Sequence, residues 1–181
     1  MSVSVAGHNG KAAALRLAFD RAFAEPAQME DRSSRIGFLA IHVGQEPFAI
    51  RLAEISGLHA DKRITPVPGG SSALLGIAGF RGSILPVYSL RVLLGITEQS
   101  ANEPTPRWLV IAAAAPVAFA FNGFDGQRRV HRDTIAPQAV EGHAQAHTQG
   151  FVRSRKMAGP ILHLPSLLAT INAAKIEAGP R

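Results

Sequence analysis

The sequence predicts a mainly β protein flanked by a helix at each end. Three observations carry that reading. From Ile36 onward the apolar residues come in short runs rich in β-branched and aromatic side chains. Glycines, prolines and polar clusters separate those runs. Longer stretches of helical spacing sit near the two ends of the chain.

The first helix is predicted from Asn9, a candidate N-cap, with Leu15, Ala18, Phe19 and Ala22 on one face and Lys11, Arg16, Asp20 and Arg21 elsewhere. "EPAQMEDRSSR" then reads as a linker. Ile36 to Val43 and Phe48 to Ile55 read as paired strands about "GQE", with Pro47 at a strand start, where it is tolerated. "SGLHADKRITPVPGGSSALLG" reads as a surface connection, because Pro66, Pro68, Gly69 and Gly70 impose extended and turn geometry before Ser71 and Ser72 cap a short turn. A second pair, Leu75 to Phe80 and Ile84 to Tyr88, reverses at "RGS", where Gly82 accepts a positive φ. "SLRVLLG" follows as a short helix opened by Ser89 and closed by Gly95.

The second half repeats the style without a sequence repeat. "RWLVIA" and "PVAFAF" read as strands, with Trp108 and Phe119 at core positions, and "NGFDGQRRV" continues after an Asn-Gly turn. "IAPQAVEGHAQAHTQG" reads as a loop, "FVRSRKMAGPILHL" as a last hairpin, and "PSLLATINAAKIEA" as a C-terminal helix with Pro165 in its first turn.

Composition narrows the function classes. With 181 residues, 46% apolar and 18% charged, the chain can bury about 70% of its unfolded surface. It has no cysteine, so disulfides, thiolate nucleophiles and cysteine-ligated metals are excluded. No window approaches the ~20 apolar residues of a membrane span, and the N-terminus has no apolar signal core, so a soluble, unexported, cytoplasmic protein is expected. The net charge is +6, and Arg128, Arg129, Arg132, Arg153, Arg155 and Lys156 gather in one stretch against Asp133 and Glu141. Such a stretch fits a solvated face, or an acidic or nucleic-acid partner, though it lacks interleaved aromatics for base stacking.

No catalytic constellation emerges. His143 and His147 have metal-ligand spacing, but Gly142 and Gly150 bracket a loop-like segment with no third ligand. "PGGSS" lacks the lysine of a phosphate-binding loop, and no GxSxG elbow fixes a nucleophilic serine. His42 and His163 sit in apolar runs, where a histidine bonded to backbone is the ordinary case.

The ordered segments "FLAIHVGQEPFAIRLAEI", "ITPVP", "GIAGFRGSILPVYSLRVLLG", "PVAFAFNGF" and "GPILHLPSLL" together resemble the CheW-like family of chemotaxis coupling proteins. The resemblance implies two five-stranded barrels of the Src-homology-3 type sharing a core, with an N-terminal extension at 1–35, the domain at 36–170 and a helix end and tail at 171–181. It implies a non-enzymatic adaptor joining chemoreceptor tips to the regulatory domain of a CheA-type histidine kinase. No cofactor, metal, small-molecule substrate or membrane insertion is expected. A nucleic-acid-binding β-barrel is the alternative, carried by the basic stretch.

The family motif assigns partner-binding residues. Arg81 holds the family's "RG" position, where its fork of donors binds a carboxylate across an interface or locks its own loop. Glu54 matches the acidic position of the "EI" segment beside Leu52, with a solvated strand charge as the ordinary reading. Gly76 and Gly82 serve backbone geometry first and close approach by a partner second. The chain departs from the family at Ser89, where an aspartate is usual; at Gly79, in place of the asparagine of "NLRG"; and at Phe121 and Asn122, in place of "VD". Residues 1–35, which the family core does not explain, are expected to dock on the domain or to contact another array component.

Overall fold

Alternation along β1 (Arg35–Val43) sends Leu39, Ile41 and Val43 into one apolar cluster and Phe38 and Ala40 into another. The same division recurs in β2 (Glu46–Arg51), where Phe48 and Ile50 face the first cluster and Ala49 the second. Both faces of these strands are therefore buried. This explains why "FLAI" and "FAI" read as continuous apolar runs rather than as polar-apolar alternation.

The computed structural model describes residues 34–68, 71–96, 106–137, 146–155 and 157–177. The helix expected near Asn9 lies outside them. The remaining elements are β3 (Ile55–Ala60), β4 (Leu74–Phe80), β5 (Ser83–Ser89), α1 (Leu90–Leu93), β6 (Trp108–Ala112), β7 (Ala118–Phe121), β8 (Gly123–His131), the two-residue β9 (Ile135–Ala136), β10 (Thr148–Ser154), β11 (Met157–Leu162) and α2 (Leu164–Glu177). They form a six-stranded sheet, ordered β8-β1-β2-β11-β10-β9, and a five-stranded sheet, ordered β3-β6-β7-β5-β4. Each sheet contains one parallel contact, β11 with β2 and β5 with β7; all other pairings are antiparallel.

Three apolar clusters correspond to this architecture. Phe38, Ala40, Ala49, Val130, Val152, Met157 and Ile161 fill the first sheet. Ala78, Phe80, Leu85, Val87, Leu109, Ala118 and Ala120 fill the second. The largest cluster lies between them and takes Phe48, Ile50, Phe119, Phe121 and Leu162 from strands of both sheets. The two mainly β units thus share a core, as the sequence implied.

Two readings of the sequence are corrected. The run from Phe48 to Ile55 is not one strand: β2 ends at Arg51, a 3-10 turn covers Leu52–Glu54, and β3 begins at Ile55 in the other sheet. The stretch after Ile55 is therefore not simply a connection; its first residues, through Ala60, pair with β6. Gly57 and His59 dilute the period of "ISGLHA" and hide it.

The helices follow their local signals. Ser89 Oγ accepts a hydrogen bond from Val92 N at 3.4 Å and caps α1, and Gly95 adopts φ +67° just beyond it. In α2, Leu164, Leu167, Leu168 and Ile171 recur at helical spacing and are all buried in the shared core. Pro165 occupies the first turn, where no intrahelical N–H is lost. No helix among the described residues is long and apolar enough to cross a membrane.

Candidate partner-binding surface

The β4–β5 hairpin closes through the pair Phe80 and Ser83, leaving Arg81 and Gly82 as its two-residue turn. Both have positive φ, +46° at Arg81 and +86° at Gly82, the signature of the primed turns that match strand twist. Gly82 adopts that conformation freely, and a Cβ there would meet no atom within 4 Å. Arginine at the first position is different. The left-handed region costs a non-glycine residue about 1 kcal/mol, and asparagine or glycine is the residue the turn itself favours.

That cost has no local compensation. Arg81 is exposed, and no hydrogen bond or ion pair ties its guanidinium to another described residue. Of the two roles open in the sequence, locking its own loop finds no bond here to support it. Around it, Phe80 packs against His59 of β3 with ring centroids 5.0 Å apart at 59°. An open cleft of about 560 Å³ runs from there, lined by His59, Arg81 and Ser83 and by the alanine-rich turn ending at Pro116. Burial, then Lys62, then Arg81 push the His59 imidazole below its usual range. On β5 next to the turn, Ile84 is 71% exposed and pairs across the hairpin with Gly79, which has open space where a Cβ would stand. The family's asparagine is thereby replaced by bare backbone beside an exposed apolar side chain.

Glu54 proves to be engaged within the domain. Its carboxylate accepts from Gln149 Nε2 at 2.6 Å and from Leu164 N, the first residue of α2, at 2.8 Å; its backbone carbonyl accepts from Ala113 N at 2.9 Å. It therefore ties the crossover between the sheets to β10, to the loop after β6 and to the positive end of the α2 dipole. The solvated strand charge expected of it is corrected: the side chain is half-buried and doubly bonded. Leu52 packs against the shared core, and a Cβ on Gly37 would stand 2.6 Å from its Cδ1.

Gly76 has φ +143°, and a Cβ there would collide with the backbone of Thr65 and Pro66. Its close neighbour is thus its own chain, held by reciprocal hydrogen bonds between Thr65 and Ile77 at 2.8 and 2.9 Å. Asn122 Oδ1 accepts from Gly44 N at 3.1 Å, a bond an amide makes as well as a carboxylate.

The histidines find ordinary partners. His147, expected in a solvated loop, is half-buried with Nδ1 3.2 Å from Ser166 Oγ; burial lowers its pKa below the usual imidazole range. Ser166 Oγ donates to the His163 carbonyl, so its proton is already committed. His143 lies outside the described residues. His42 is not inward: its Nδ1 lies 3.0 Å from Asp125 Oδ2 on the partly exposed β1–β8 face. Among the described residues no three histidines and carboxylates gather as a metal site.

The CheW-like domain profile matches residues 37–172, and its segments coincide with the two sheets and α2. The chain belongs to the CheW-like family. This CheW-like protein is 29% identical over 85 residues to the chemotaxis protein CheW of Helicobacter pylori, which covers 47% of the chain and 51% of that protein. It is 29% identical over 75 residues to the chemotaxis protein CheW of Rhizobium meliloti, covering 41% and 46%. The chain thus spans about half the length of these two relatives in the matched regions. FrzA of Myxococcus xanthus aligns more fully, 26% identical over 157 residues, with 85% of this chain and 95% of FrzA covered. Among solved structures, the scaffolding protein TtCheW of Thermoanaerobacter tengcongensis matches with a TM-score of 0.62 at 17% identity, over 71% of this chain and 90% of that one. That likeness establishes the shared fold of two barrels of the Src-homology-3 type. The family is one of scaffold domains rather than enzymes.

Proposed function

We propose that this CheW-like chain is a non-enzymatic adaptor that couples chemoreceptor tips to a CheA-type histidine kinase at the cytoplasmic side of a chemotaxis-like array. The observation that supports it most is Arg81. It is a left-handed, exposed arginine at a hairpin tip, strained by about 1 kcal/mol and unbonded to any described residue, in a fold of scaffold domains. Backbone strain retained without a local reward points to a contact outside the chain.

In this reading Arg81 supplies the charge-assisted contact to a partner carboxylate, and Gly82 shapes the turn that presents it. Gly76 anchors the other end of the hairpin's first strand against Thr65. Leu52 and Glu54 hold the crossover that keeps the two barrels together. The exposed Ile84 beside Gly79 adds apolar area. The adaptor activity belongs to the 36–170 domain, with 1–35 as an added extension. Titration calorimetry with the kinase regulatory domain and, separately, a receptor-tip fragment tests this. Arg81→Ala should weaken at least one interaction by about tenfold, the value of one charge-assisted hydrogen bond. Unchanged affinity for both removes Arg81 from the interface.

A further inference from the structure

The six-stranded sheet ends at β8, whose inner edge pairs with β1 and whose outer edge meets no strand among the described residues. Across from that edge, β10 meets the two-residue β9 only through Phe151 and Val152. Among the described residues the first barrel is therefore open along a seam. The seam forms a cleft of about 750 Å³ whose lining includes Arg35, Arg128, Arg129, His131 and Arg155 and, among the described residues, no aspartate or glutamate. Three arginines of the basic stretch, Arg128, Arg129 and Arg155, are thus gathered at one place in the fold.

Arg128 is fixed there by its own backbone. Its Nη1 donates to the Gln127 carbonyl at 3.1 Å and its Nη2 to the Asp125 carbonyl at 3.0 Å. Gly126 makes room for that arrangement, since a Cβ on it would stand 2.9 Å from Nη1. Arg129 and Arg155 are exposed and have no ion-pair partner among the described residues. The Asp133 carboxylate faces His131 at 3.1 Å, and that of Asp125 faces His42 at 3.0 Å. The exposed charges of Arg129 and Arg155, with no ion-pair partner among the described residues, create a potential that an anionic partner relieves.

Two features select a polypeptide over a nucleic acid. Among the described residues no Phe, Tyr or Trp lines the cleft, and the Phe151 ring of β10 is already covered by the Arg153 guanidinium 5.9 Å from its centroid, so the wide ring faces that stack bases are missing from this lining. The outer edge of β8 also presents main-chain donors and acceptors, which another extended backbone matches residue by residue. Asp125, Gln127, Arg129 and His131 alternate as its exposed residues, so a strand about 16 Å long laid beside residues 127–131 would meet the Arg129 guanidinium at its centre.

We infer that the open seam between the outer edge of β8 and the β10–β11 turn binds an extended acidic segment of a protein partner. The segment adds to β8 as a further strand and sets its carboxylates against Arg129 and Arg155. This surface belongs to the other sheet from Arg81, so the inference does not rest on the kinase-coupling proposal.

Fluorescence anisotropy on the full chain, with a labelled heptapeptide of alternating Glu and Val, tests it. The peptide should bind saturably and salt-sensitively, shift the amide resonances of residues 127–131, and lose about tenfold or more in affinity to the exposed double variant Arg129→Glu/Arg155→Glu. Urea midpoints for the variant should match the parent, and Arg81→Ala should bind the peptide as the parent does. A Lys-Val peptide should not bind. The same acidic peptide N-methylated at alternate residues should bind more weakly, because strand pairing is removed while charge is kept. Absence of binding at low salt, shifts elsewhere on the chain, or binding of oligothymidylate where the peptide fails would overturn the inference, and an indifferent N-methylated peptide would overturn strand addition.

Discussion

Replacing Glu54 separates a structural clamp from a surface contact. Its two carboxylate oxygens each face a donor, Gln149 Nε2 at 2.6 Å and Leu164 N at 2.8 Å. Truncation to alanine removes two charge-assisted bonds and leaves the first amide of α2 without its cap, in a half-buried site. A hydrogen bond to a charged group contributes about 1.5–3 kcal/mol, and losing a cap costs about 1. Because the site is half exposed and water replaces part of the loss, we expect Glu54→Ala to cost about 2–4 kcal/mol.

Glutamine is the sharper probe. It keeps the shape but offers only one oxygen, so its amide NH₂ must face one of two donors. Glu54→Gln should therefore cost about 1–2 kcal/mol rather than nothing. Urea unfolding reads both through the midpoint at constant slope. Hydrogen exchange should quicken at the start of α2 before it does in β6 and β7. At equal folded fraction, Glu54→Gln should bind the kinase regulatory domain as the parent does. A variant of unchanged stability that fails to bind would refute the clamp and return Glu54 to the interface.

Arg81→Asn should raise stability by about 1 kcal/mol, measured by urea midpoint, while weakening partner binding, because asparagine suits the left-handed turn but lacks the guanidinium. Gly76→Ala should cost about 3 kcal/mol or more, since the new Cβ meets the Thr65 backbone as well as an unfavourable φ; Gly82→Ala, with open space around it, should cost only about 1. The pKa values of His59 and His147 lie below the ordinary 6.5, so the unfolded chain binds protons that the folded chain does not. Their contribution is fully present above about pH 6.5 and is lost as pH falls, so the thermal midpoint should drop between about pH 7.5 and pH 5.5, and His59→Gln/His147→Gln should flatten that drop.

Much of the fold was legible because each local signal agreed with the tertiary arrangement. Ser89 and Gly95 bound α1, Arg81-Gly82 reverses a hairpin, and the leucines of "LPSLLATI" place one face of α2 in the core. β3 was hidden because Gly57 and His59 break the apolar period that pairing with β6 does not require. Strands buried on both faces gave runs whose division between two cores only the sheets reveal, as with Phe119 and Phe121 against Ala118 and Ala120.

At the candidate surface, the motif located Arg81 and its turn. It could not reveal that Glu54 reaches residues 95 and 110 positions away, Gln149 and Leu164, because such distant bonds leave no trace in local spacing. Nor could it show that arginines from three separate strands and turns line one seam.

The adaptor role rises or falls with the affinity of the purified chain for a CheA-type regulatory domain, measured across a salt series with a random DNA oligonucleotide as control. Binding to the kinase domain should be saturable and micromolar or tighter, and Arg81→Ala should weaken it about tenfold while the oligonucleotide does not compete. Binding to the oligonucleotide alone, with none to the kinase domain or receptor tip at any salt concentration, would contradict it.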